Sequence, residues 1–174
     1  MKKIIKLTLT VACVMFSTSL FAQKFGRINL QEIVFAMPEF KEMQTKVEAV
    51  GKDWSEQLET IQVEFNNQYT EFQKNRANLS AAAVQVKESE LQALQTRYAE
   101  LQQIAQQDIE KQQGELFLPI QQKAMDAVKK VATAGGYTAV FDMSMPSLAY
   151  VNEATVTDLS AAVRKELGIT EEAK

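Results

Sequence analysis

The chain contains no histidine, one cysteine, one tryptophan and three prolines among its 174 residues. Without histidine, the commonest general base and the commonest metal ligand are both missing. No phosphate-binding glycine fingerprint and no zinc-ligand spacing takes their place. An enzyme, a metal centre and a bound cofactor therefore have no constellation of residues to carry them, and none of the three is expected. A basic excess is lacking too: 19 Lys and Arg stand against 22 Asp and Glu. Nucleic-acid binding depends on neutralising phosphates with a basic surface, so this balance speaks against it.

The first 22 residues read as an export signal. Lys2, Lys3 and Lys6 precede an apolar run from Leu7 to Phe16, and Ser17, Thr18 and Ser19 lead to Ala22, after which cleavage is expected. Leu20 is larger than the usual residue three places before the cut. The run falls short of the roughly 20 apolar residues of a transmembrane span, and no second run exists, so stable membrane insertion of the mature chain is not expected. Cys13 lies inside the run rather than after it, which disfavours a lipid anchor. Removing this segment takes three basic and no acidic residues, which deepens the formal charge from −3 to −6. The mature protein has no disulfide, so packing, oligomerisation or both must hold it together.

Apolar and aromatic residues then recur at helical spacing from Phe40 through Met43, Val47, Val50, Trp54, Leu58, Ile61, Phe65 and Tyr69 to Phe72. Pro38 suits the first turn of that helix, and Gly51 is its weak point, at roughly 1 kcal/mol relative to alanine. The pattern fades around residues 74–80, where Asn78 or Ser80 can cap the next helix. A second stripe runs from Leu91, Leu94 and Tyr98 to Ile120 and Val131. Two long helices joined by so short a turn must be antiparallel, and the second, about 75 Å long, must project from any body this chain can build. Pro119 is expected to kink the return helix, and Gly114 to soften it, so both are read as a hinge.

Gly135 and Gly136 end the second helix. Strands are expected at residues 137–141 and 148–151, with a turn through Pro146 between them, and a last helix is expected from Thr155 or Thr157 to Gly168. A strand at residues 25–30 is expected to pair with these, so that both ends of the chain meet in one base. Three short strands and a helix bury too little for one copy to stand alone. Phe25, Ile28, Leu30, Val140, Phe141, Leu148, Tyr150 and Val151 are the expected contacts of a homo-oligomer with shared strands.

In four stretches the chain resembles the Skp/OmpH-like periplasmic chaperones: KFGRINLQEIVFAMPEF, GGYTAVFD, LAYVNE and TVTDLSAAVRKELG. The resemblance implies an α+β, mostly α fold, with a small strand base shared between three subunits. It also implies a coiled-coil hairpin on each subunit, and a cavity between the hairpins that holds unfolded outer-membrane β-barrel proteins without nucleotide. On this reading residues 23–37 and 119–174 form the body, and residues 38–118 form the hairpin. Phe65, Tyr69, Phe72, Leu79, Leu91, Leu94 and Tyr98 are then the candidate client contacts. Between Glu39 and Glu115 the hairpin has 14 acidic and 8 basic residues, so basic-patch binding of lipopolysaccharide or phospholipid does not carry over.

Other features have plainer readings. Trp54 is expected to pack, Asp142 to cap a turn, and Asn78-Leu79-Ser80 to cap a helix rather than accept a glycan. Glu88 and Glu90 lie two apart on a helix, so their carboxylates do not face each other. The competing reading of the whole chain is a coiled-coil adaptor of the cell envelope that binds one folded partner.

Overall fold

The computed structural model describes residues 23–145 and 148–169. The leader with Cys13, and Pro146 of the expected turn, lie outside the described residues. The order is β1 (Lys24–Ile28), α1 (Leu30–Ala36), α2 (Pro38–Asn75), a 3-10 turn (Arg76–Asn78), α3 (Ala81–Gly135), β2 (Tyr137–Asp142), β3 (Val156–Asp158) and α4 (Ser160–Glu166). It is a mostly helical α+β fold with one small sheet.

Proline and asparagine set the first corner. The side chain of Asn29 accepts from the Glu32 N–H at 3.2 Å and donates to the Glu32 carboxylate at 2.8 Å, which caps α1. Leu30 is therefore the first residue of a helix rather than the last of a strand, a correction to the expected span 25–30. Pro38 forces the residue before it out of the helical region. Met37 accordingly sits at φ −71°, ψ 136°, fully buried, and α2 restarts with Pro38 in its first turn.

Helix α2 runs unbroken through Gly51, and α3 runs unbroken through Gly114 and Pro119. At 1.5 Å per residue the 55 residues of α3 span roughly 80 Å. Of the two candidate caps, Ser80 is the one used: its hydroxyl accepts from the Ala83 N–H at 3.3 Å. At the far end Gly136 adopts φ 68°, a left-handed conformation that glycine takes without strain, and its N–H closes the last turn on Ala132 and Thr133.

The three strands lie in the order β2-β1-β3, all parallel. The whole helical hairpin is thus the crossover between β1 and β2. A second correction concerns residues 148–151, which form no strand; β3 is Val156–Asp158, paired through Phe25↔Val156 and Arg27↔Asp158. Because β3 runs parallel to β1 on the opposite edge from β2, the chain between β2 and β3 must return along the sheet before pairing. An asparagine turn ends this segment, with the Thr155 N–H bonded to the Asn152 carbonyl at 3.1 Å. Helix α4 consequently starts at Ser160, later than the sequence suggests, and Gly168 at φ 70° lies just past its end.

The core sits at the base. Ile28, Ile33, Val34, Met37 and Met43 pack against Ile120, Ala124 and Ala127 of α3, against Leu159 just before α4 and against Val163 within it. Gly26 is required there by close approach: a Cβ would lie 2.7 Å from Leu159 Cδ1.

Candidate functional site

The part of the molecule available to a partner is the hairpin beyond this core. Its seam is thin. Ile61 and Phe72 of α2 are buried against α3, and Leu91, Leu94 and Ala105 of α3 are buried in return. Three polar links tie the helices along their length. Near the base Lys123 pairs with Glu39, midway the Trp54 indole N–H donates to Asp108 Oδ2 at 2.9 Å, and at the tip Arg76 meets Glu88 at 3.3 Å. The Lys123 ammonium, donating to the Glu39 carboxylate, holds it below its ordinary pKa. Arg76 also lies over the Phe72 ring, 5.6 Å from its centre, so the tip is closed by one cation serving two partners.

The expected client contacts divide by burial. Phe72, Leu91 and Leu94 lie in the seam and are buried; Phe65, Leu79 and Tyr98 are half-buried; Tyr69 is exposed. The Phe65 and Tyr69 rings stack with centroids 5.9 Å apart, one helical turn from each other. The helical period alone could not separate these groups, because it identifies one face and not the depth of each residue on it. Exposed apolar side chains that the sequence reading did not single out are Val63, Val86, Ile104 and Leu118. They lie off the main stripe, and only the fold shows them unpaired.

The expected hinge residues lie toward the base. Pro119 is exposed, one residue before the buried Ile120, and a Cβ on Gly114 would meet nothing within 4 Å.

At the base, the expected interface residues fall into three sets. Ile28 is buried in the core, and Leu30 and Val140 are half-buried against it. Phe25 and Phe141 stack at 5.9 Å on the opposite face of the sheet, where side chains alternate away from Gly26 and Ile28. Leu148 and Tyr150 are exposed, Tyr150 at 80%, on the return segment with Val151 half-buried; Met143 and Met145 on the same segment are exposed as well. Asp142 caps the turn after β2, accepting from the Ser144 N–H at 2.9 Å, and it also accepts from the Leu30 N–H at 3.1 Å. That second bond ties the end of β2 to the start of α1. Among the described residues no group of acidic side chains converges to hold a metal ion, and no helix is long and apolar enough to cross a membrane.

Comparison with known proteins agrees with this geometry. A family model described as outer membrane protein (OmpH-like) matches residues 24–167. The Chaperone protein Skp of Pectobacterium atrosepticum is 25% identical over 146 residues, covering 84% of this chain and 86% of that protein. The Chaperone protein Skp of Yersinia enterocolitica is 24% identical over 151 residues, covering 87% and 90%. A crystal structure described as a candidate OmpH-like outer membrane chaperone of Caulobacter crescentus superposes with a TM-score of 0.72 at 14% identity, over 83% of each chain.

Proposed function

Because the chain belongs to the OmpH-like outer membrane protein family, whose curated relatives here are chaperones and not enzymes, we propose that it is an ATP-independent holdase of the periplasm. Its clients are unfolded outer-membrane β-barrel proteins, held between hairpins and kept from aggregating. The observation that carries this reading is the separation of the molecule into a buried base and a long, thin hairpin whose middle and tip leave Val63, Tyr69, Val86 and Ile104 exposed. Scattered apolar contacts on a wet surface give many weak, exchangeable interactions, and their sum becomes strong through multivalency. No nucleotide is needed for such a cycle.

The body comprises residues 23–37 and 119–174, and the hairpin comprises residues 38–118. The body assembles as a homo-oligomer, with a trimer as its form. Supporting this are the stacked Phe25 and Phe141 on the sheet face away from the core and the exposed Met143, Met145, Leu148 and Tyr150 on the return segment. Apolar surface concentrated in this way marks an interaction site. Gly114 and Pro119 serve as the hinge between body and hairpin.

The test is light scattering when a urea-unfolded outer-membrane β-barrel protein is diluted into buffer containing the purified mature chain and no nucleotide. Suppression at about one oligomer per client is the expected result. An intact oligomer that leaves aggregation unchanged would overturn the holdase reading and favour an adaptor for one folded partner.

A further inference from the structure

The hairpin has two long flanks beside its seam, and they differ in chemistry. On one, a groove is lined by Gln68, Lys87, Glu90 and Arg97 around Leu94. Lys87 pairs there with Glu90 at 2.6 Å, and Gln68 donates to Glu64 at 3.1 Å, so this flank is a lattice of charges. On the other, a groove of about 630 Å³ is lined by Gly51, Ser55, Gln102 and Gln106 over Trp54 and Leu58. Its one charged lining group, Glu110, already accepts from Gln106 at 3.1 Å.

The sequence extends this uncharged flank beyond the groove. On α3, Gln95, Gln102, Gln106 and Gln113 succeed one another at steps of seven, four and seven residues, close to whole turns, so all four share a face. On α2, Gly51, Ser55 and Gln62 step by four and seven in the same way. A hairpin with a formal excess of six acidic groups thus carries one long strip almost free of charge.

We propose that this amide strip, and not the charged flank, is where the client lies, as an extended segment of unfolded β-barrel chain. The assignment rests on the holdase reading. A glutamine amide carries both donors and an acceptor, the same complement as a peptide unit, so a row of them bonds any backbone whatever its side chains. A membrane-spanning β-strand alternates apolar and polar residues, and its lipid-facing set is uncharged. Its apolar side chains fit the floor of Trp54, Leu58, Ala105 and Ile109, while its backbone faces the amides. On the charged flank the same neutral segment would strip water from carboxylates and ammonium groups without compensating them. The strip from Gly51 to Gln62 rises roughly 16 Å along α2, the length of about five extended residues.

Photo-crosslinking tests this in the intact oligomer with a urea-unfolded β-barrel protein and no nucleotide. A benzophenone amino acid at position 62 or 102 samples the amide strip; at position 64 or 97 it samples the charged flank. Client adducts from 62 and 102, with few from 64 and 97, are expected. Equal or greater yield from 64 and 97 overturns the proposal. Absence of adducts at all four sites while aggregation is suppressed overturns it as well, and leaves the holdase reading standing. Failure of the unmodified protein to suppress aggregation strikes down the holdase reading and the strip with it. In parallel, the triple variant Q95E/Q102E/Q113E, folded by circular dichroism, should bind client about tenfold more weakly. The control E64Q should bind as the parent does, and loss in E64Q alone would place the client on the charged flank.

Discussion

At the scale of single residues, Trp54 and Asp108 show how a thin seam is kept in register. An indole N–H has one donor and no acceptor, and here it finds a half-buried carboxylate on the other helix at 2.9 Å. Trp54→Phe keeps most of the ring and removes that bond, so it should lower unfolding stability by about 1 kcal/mol, read by urea denaturation monitored by circular dichroism. An unchanged midpoint would mean that water serves Asp108 as well as Trp54 does. Asp158 acts at the other end of the chain. Hydrogen bonds from Ser160, and more weakly the charge of Arg27 at 3.5 Å, lower its pKa. A carboxylate whose folded pKa is depressed contributes stability above about pH 4, its ordinary range, and that contribution fades as pH falls through the folded value. Asp158→Asn should therefore be less stable than the parent at pH 7 and should lose less on acidification. Parallel stability curves from pH 7 to pH 2 would refute the role.

At the scale of elements, buried contacts are spread unevenly along the hairpin, dense at its base and sparse above it. Between Met43 and Ile61 on α2, and between Ala105 and Ile120 on α3, no residue is buried. The Glu39–Lys123 and Trp54–Asp108 pairs fix which levels face each other, and they bring Gly51 and Gly114 to within about one turn of the same height. A Cβ at either position would meet nothing within 4 Å, so packing does not call for glycine there. Gly51→Ala and Gly114→Ala should each stabilise the helices by up to about 1 kcal/mol. Together they should narrow the distribution of distances between spin labels at the tip and in the body. An unchanged width would remove Gly114 from the hinge.

The long elements were legible because more than thirty residues of one period leave no alternative, and Pro38, Ser80 and Gly136 mark their ends by known backbone chemistry. The short ones were not. Helix α1 has 7 residues, too few to display a period, and its sequence reads equally as the end of a strand. Leu148-Ala149-Tyr150-Val151 has a better strand composition than Val156-Thr157-Asp158, yet pairing is decided by where the chain can reach β1, which no local propensity encodes. The same limit applied to the hairpin surface. Phe72 shared a stripe with Tyr69 in the sequence, and Leu91 and Leu94 shared theirs with Tyr98; only the pairing of the two helices shows which of them the seam covers.

At the scale of the whole molecule, net charge is distributed unevenly between hairpin and base. The acidic excess lies on the hairpin, while the described base is close to neutral and carries the stacked Phe25 and Phe141 with the exposed Tyr150. In the proposed oligomer, like-charged arms would repel weakly at physiological salt, where screening acts over about 8 Å, and a nearly neutral base would add little repulsion between subunits. The double variant Phe25→Ser/Tyr150→Ser should shift the mass in solution toward the monomer while helix content is kept, measured by light scattering after gel filtration. A parent that is itself monomeric at micromolar concentration would exclude the shared-strand assembly.

The parallel pairing of β1 with β2 also sets an order of events in time. Phe25 must wait for Ala139, and Gly26 for Leu159, so the first strand to emerge is among the last structures to close. Contacts so distant in sequence form slowly, whereas the hairpin between them needs only its own neighbours. A chain delivered from its N-terminus would thus raise the arm before it had a foundation. Until its C-terminal strands arrive, β1 would stand with both of its edges unpaired.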